Sequence, residues 1–139
     1  MRLPDVYNLK VMMPIFVSLD PADPPTGVVA LSGEQDAYSA PRLEDELCAL
    51  LDEGIGVVVD LTATSFLDSQ SLSILLTARH RAERDSLGFA LVLPSEPYTQ
   101  VHRMLDITGL IRAFAVYPAM APALVAARAG HNGGRARAA

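Results

Sequence analysis

The sequence predicts an α/β domain in which a mixed sheet of four or five strands packs with about four helices. Two short β-prone runs near the start lie close enough to pair as an antiparallel hairpin, and the later apolar runs are separated by segments whose leucines repeat at helical spacing. The 139 residues are 50% hydrophobic and 19% charged, which suffices for one buried core and not for two ordinary domains.

Ile15-Phe16-Val17-Ser18-Leu19, closed by Asp20-Pro21 and Asp23-Pro24-Pro25, gives the first strand and a turn; Val28-Val29-Ala30-Leu31, ending at Ser32-Gly33, gives the second. Leu43, Leu47, Leu50 and Leu51 fall at i, i+4, i+7 and i+8, behind Ser39 and Pro41 and ahead of Gly54, which marks an amphipathic helix with its start and stop. Cys48 lies within that pattern and reads as a buried thiol. Residues 57–61 are apolar and β-branched without polar alternation until Asp60, as expected of a central strand.

A second helix is expected from Ser69 to Arg84, with Leu72, Leu75, Leu76 and Arg79 along it and Arg79, Arg81 and Arg84 suited to the negative end of its dipole. Residues 89–93 give a fourth strand stopped by Pro94. Ser95 is placed to cap a third helix carrying Val101, Met104 and Leu105 and ending at Gly109. Residues 114–117 add an edge strand, and Met120, Leu124 and Val125 imply a last helix. The chain thus divides into an N-terminal extension over 1–13, one domain over 14–127 and a mobile Gly/Arg/Ala-rich tail over 128–139.

Sixteen acidic residues against eleven basic ones give a net charge of −5, with no basic stripe, so nucleic acid and anionic membrane are poor partners. One cysteine excludes an internal disulfide, no secretory signal is recognisable, and no apolar stretch approaches the roughly 18 residues that cross a bilayer. The expected location is the cytoplasm. His80, His102 and His131 are not spaced with cysteines or carboxylates as metal ligands, and neither a nucleophile elbow nor a phosphate-binding glycine loop occurs. No catalytic residue, cofactor or metal is therefore expected. Asp60 sits where a phosphorelay receiver carries its acceptor, but the lysine such a site needs is missing, since Lys10 precedes the fold; Asp60 reads as a strand-end residue anchoring the next loop.

In sheets of this kind, functional groups gather where strands end and helices begin, here at 33–36 and 60–71. Asp68-Ser69-Gln70-Ser71 meets a helix N-terminus, where unpaired N–H groups and the dipole favour an anion. A phosphate on Ser69 would bring about −1.5 to −2 charges to that end, tolerable for the fold and disruptive in an interface. The plainer reading is that Asp68 or Ser69 only caps the helix. Asp36 likewise reads either as a site residue or as a turn residue bonding its own backbone.

Residues 33–41 (Gly-Glu-Gln-Asp-Ala-Tyr-Ser-Ala-Pro), 57–61 (Val-Val-Val-Asp-Leu), 66–69 (Phe-Leu-Asp-Ser) and 105–110 (Leu-Asp-Ile-Thr-Gly-Leu) resemble, in order and spacing, the successive blocks of the bacterial anti-sigma factor antagonists, which are STAS domains. The resemblance implies a STAS fold that binds an anti-sigma factor, often itself a serine kinase, when unphosphorylated and releases it when the serine after the aspartate is phosphorylated. That serine is Ser69, with Ser71 as its nearest rival, and the implied partner surface comprises Asp36, Asp68, Ser69, Gln70 and Ser71. A phosphatase that resets the switch and a homodimer are compatible with this. Two departures stand out: Ser69-Gln70-Ser71 replaces the usual Ser-Ser-Gly, and Gln35 stands where the family prefers an aliphatic residue, so its amide needs solvent or a hydrogen-bonding partner. The alternatives are a STAS scaffold without phosphorylation and a domain that senses a small anion or nucleotide.

Overall fold

The computed structural model describes residues 15–133. The expected extension over 1–13 and residues 134–139 of the expected tail lie outside the described residues.

In chain order the elements are β1 (Ile15–Asp20), β2 (Thr26–Gln35), α1 (Ala40–Asp52), β3 (Gly56–Leu67), α2 (Ser69–Arg84), β4 (Phe89–Val92), α3 (Gln100–Ile107), a 3-10 turn (Leu110–Arg112), β5 (Ala115–Tyr117) and α4 (Met120–Arg128). The sheet order is β1-β2-β3-β4-β5. β1 and β2 form the antiparallel hairpin, and every other pairing is parallel. This is the mixed α/β sheet with four helices that the sequence predicts, with the 57–61 run in its central strand.

Strand alternation divides the core in two. Val57, Val59 and Leu61 of β3 point to one face, where they join Ile15, Val29, Phe89 and Leu91 under Leu43 and Leu47 of α1, Leu72 and Leu75 of α2, and Val101 and Leu105 of α3. Val58 points to the other face and packs with Ala90, Val92, Ala123 and Ala127 under α4. The small residues on that face allow close approach: a Cβ added to Gly88 would lie 2.0 Å from the carbonyl oxygen of Ala127.

Several local expectations need correction. β2 and β3 run on through residues read as loops, because they pair with each other as far as Gln35 and Leu67, the register slipping near Gly33. Gly33 has φ 69°, a conformation that glycine adopts without a Cβ penalty. Cys48 is exposed, since it lies one residue beyond Leu47 and so turns about 100° away from the buried stripe. Thr99, not Ser95, caps α3, its hydroxyl accepting the N–H of His102 at 3.3 Å. In α4 the buried positions are Ala123, Ala126 and Ala127, and Val125 is exposed.

Arg79 is not in the last turn of α2 and does not serve the helix dipole. It is buried, donating from Nε to the Asn132 carbonyl at 3.1 Å and from Nη2 to the Gly133 carbonyl at 3.0 Å, with Glu83 Oε2 also 3.0 Å from Nη2. Residues 130–133, assigned from sequence to the tail, are thus bonded to the body: Phe89 N–H donates to the His131 carbonyl at 2.9 Å, and the Asn132 amide donates to the Leu87 carbonyl at 3.0 Å.

Candidate functional site

At the C-terminal end of the parallel strands, the chain leaves β2 into a turn at Asp36–Ser39 and leaves β3 straight into α2 at Asp68. The two exits are tied together by a hydrogen bond from Asp68 N–H to the Gln35 carbonyl at 3.0 Å. Two segments about thirty residues apart in sequence therefore meet at one edge, and Asp36 and Asp68, both half-buried, belong to one surface.

The carboxylate of Asp36 accepts the N–H of Tyr38 at 2.9 Å, and its carbonyl accepts the N–H groups of Ser39 and Ala40 at 3.1 and 3.0 Å. It is thus a turn-forming residue within the surface. Gln35 is fully buried; its Nε2 donates to the Ser32 carbonyl at 2.9 Å and its Oε1 accepts from the Ser39 hydroxyl at 3.0 Å. That satisfies a polar side chain at an otherwise apolar position; the same Ser39 hydroxyl accepts the N–H of Asp36 at 3.3 Å and makes no capping bond to α1.

Asp68 is extended, with φ −87° and ψ 173°, and its carboxylate accepts the N–H of Ser71 at 2.8 Å, which makes it the N-cap of α2. Ser69 and Gln70, the first two helical residues, are exposed. Ser71 is fully buried, and its hydroxyl has no hydrogen-bond partner. With Asp68 engaged in the cap, the N–H groups of Ser69 and Gln70 remain the helix donors without an intrahelical acceptor, facing the direction from which an anion is stabilised. Tyr38 is 96% exposed beside this surface.

Gln100, the first residue of α3, escaped the sequence reading. Its carboxamide grips the backbone of Leu67, Oε1 accepting the N–H at 2.7 Å and Nε2 donating to the carbonyl at 2.9 Å. No sequence pattern marks a contact between residues so far apart, and a glutamine at a helix start has no distinctive signature. Among the described residues, no group of three or more His, Cys, Asp and Glu is placed to hold a metal ion, and no helix is long and apolar enough to cross a membrane.

The five-stranded mixed sheet, with its order β1-β2-β3-β4-β5 and its four helices, is shared with a known class of protein. The family model described as STAS domain matches residues 20–123, so the chain belongs to the STAS-domain family. Within that family it belongs with the anti-sigma factor antagonists. It is 32% identical over 82 residues to the anti-sigma-B factor antagonist of Bacillus subtilis, an alignment covering 59% of this chain and 72% of that protein. It is also similar to the crystal structure of an anti-sigma factor antagonist from Mycobacterium paratuberculosis, with a TM-score of 0.69, 33% identity, and coverage of 82% and 94% of the two chains. The fold further matches the phosphorylated form of the Bacillus cell fate determinant SpoIIAA, with a TM-score of 0.60 at 18% identity, over 79% of this chain and 96% of that one.

Proposed function

We propose that this chain is a cytoplasmic, non-catalytic regulator that binds an anti-sigma factor, itself a serine kinase, while Ser69 is unmodified and releases it when Ser69 is phosphorylated. The observation that carries the reading is the contrast between two serines in one helical turn. Ser69 is exposed and Ser71 is fully buried, so a kinase can reach the first hydroxyl without unwinding α2 and cannot reach the second.

The physical consequences of modification support a release switch. A phosphoserine at the first helical position brings about −1.5 to −2 charges next to the free N–H groups of Ser69 and Gln70, which stabilise it, so the fold persists. In a docked interface the same group must be desolvated beside Asp68 and Asp36, which is unfavourable unless the partner supplies cations. Gln70 points outward, so its bulk in place of a small residue falls on the partner's side and bears on which anti-sigma factor fits.

The test is phosphosite mapping on protein from its native cell, combined with partner capture by Ser69→Ala and Ser69→Asp. Phosphate on Ser69, with an anti-sigma factor kinase retained by the alanine form and lost by the aspartate form, is the expected result. Unmodified Ser69 across growth and stress, with equal capture by both forms, would leave a constitutive STAS scaffold. Saturable binding of a nucleotide or inorganic anion in place of a protein would point to a ligand sensor.

A further inference from the structure

We infer that Gln100 is a positioning residue for the phosphoacceptor, holding the backbone from which Ser69 is presented; this rests on the reading of Ser69 as the modified residue. β3 outlasts its neighbour: β4 pairs with it only over Val57–Asp60, whereas β2 accompanies it to Leu67. In a strand, the N–H and C=O of one residue point to the same side and those of the next residue to the other. Asp68 N–H points toward β2, where it meets the Gln35 carbonyl. The N–H and C=O of Leu67 therefore point to the side that β4 has vacated, and Leu67 is fully buried, so both groups need a partner there.

Gln100 supplies both with one planar amide, an acceptor at 2.7 Å and a donor at 2.9 Å, in the place of a missing strand residue. The stem of that amide is fixed, because Thr99 caps α3 and Val101 and Leu105 of the same helix are buried in the core. The chain is thus held at consecutive residues from opposite sides, Leu67 by Gln100 of α3 and Asp68 by Gln35 of β2, immediately before Ser69. A serine two residues beyond a bidentate clamp is carried on backbone with a defined place, which limits where its hydroxyl can be delivered for in-line attack on a nucleotide phosphate.

Gln100→Met keeps the length and apolar stem and removes both hydrogen bonds; Gln100→Glu keeps an acceptor for the Leu67 N–H and sets an oxygen against the Leu67 carbonyl. In the free full-length chain, amide exchange at Leu67 and Asp68 should rise at least about tenfold in Gln100→Met and less at Leu67 in Gln100→Glu, with Val29 and Val58 within about twofold of the parent. With the anti-sigma factor kinase captured by Ser69→Ala and with ATP, kcat for Ser69 phosphorylation should fall about tenfold in Gln100→Met while KM for the chain stays within about twofold. Unchanged exchange at Leu67 and Asp68, uniform acceleration across the sheet, or a rise in KM at constant kcat would each overturn the inference. A parent chain that accepts no phosphate at Ser69 would defeat the proposed function instead, and the exchange pattern would still decide whether Gln100 holds this backbone.

Discussion

The two ends of α2 are built on opposite terms. At the N-terminal end, Asp68 makes one side-chain bond to Ser71 N–H, and Ser69 and Gln70 face solvent. In the C-terminal half, Arg79 is buried against the carbonyls of Asn132 and Gly133, Arg81 is bonded to Asp52 of α1, and Arg84 and Arg81 both engage Asp85. One end presents a hydroxyl and the other fastens the helix to its neighbours and to the end of the described chain. A helix that carries a charge switch at its tip can keep its orientation in both states if its other end is tied to the body, and the distribution of bonds here has that form.

The comparison can be broken at the fastened end first. Arg79→Ala removes the donors to two carbonyls and should cost about 2–4 kcal/mol in urea unfolding, while partner capture well below the transition is retained. A loss under about 0.5 kcal/mol would show that the guanidinium does not anchor α2. Next comes the cap: Asp68→Ala should cost about 1 kcal/mol, and Asp68→Asn should recover most of it, because the Ser71 N–H can donate to the side-chain oxygen of either residue. Ser69→Ala should leave stability within about 0.5 kcal/mol of the parent while abolishing phosphate incorporation, which would separate the proposed switch from the fold at a single atom.

The smallest effect concerns Asp85, whose carboxyl is held below the usual carboxylate range by its hydrogen bond from Arg84 and by the nearby charges of Arg84 and Arg81. A depressed folded pKa means stabilisation that is present above the unfolded value near 4 and fades as pH falls through the folded value. The melting temperature of Asp85→Asn should therefore lie slightly below the parent at pH 7 and converge with it toward pH 3. Because the pair is exposed, the gap should close at high salt as well.

The parts of this molecule that were legible in the sequence are those whose cause is local. The leucines of α1 at 43, 47, 50 and 51 are buried because helical spacing brings them to one face, and the unbroken 57–59 run is central because nothing polar interrupts it. The junction at Asp68 and Ser69 was visible for the same reason, since strand end, acidic cap and helix start are contiguous. What stayed hidden depends on long-range pairing. Thr62 to Leu67 reads as loop because its side chains do not alternate, yet it is strand because β2 runs beside it. Gln100 and Asn132 look like surface polars and are used as backbone partners for Leu67 and Leu87. Ser95 lost the cap to Thr99 because where α3 begins is fixed by the docking of Val101 and Leu105, which a Pro-rich loop with two candidate hydroxyls does not reveal.

The exposure of Cys48 has a practical consequence. It is the chain's single thiol, it is exposed on α1 about 12 Å along the axis from the helix start, and it lines a groove between α1 and α2 beside Arg81. A fluorophore or spin label placed there would be stoichiometric by construction and would leave every bond of the Asp36, Asp68 and Gln100 network untouched. Docking of a partner on the sheet end, and its dissociation after modification, would then be followed in real time as changes in anisotropy or distance.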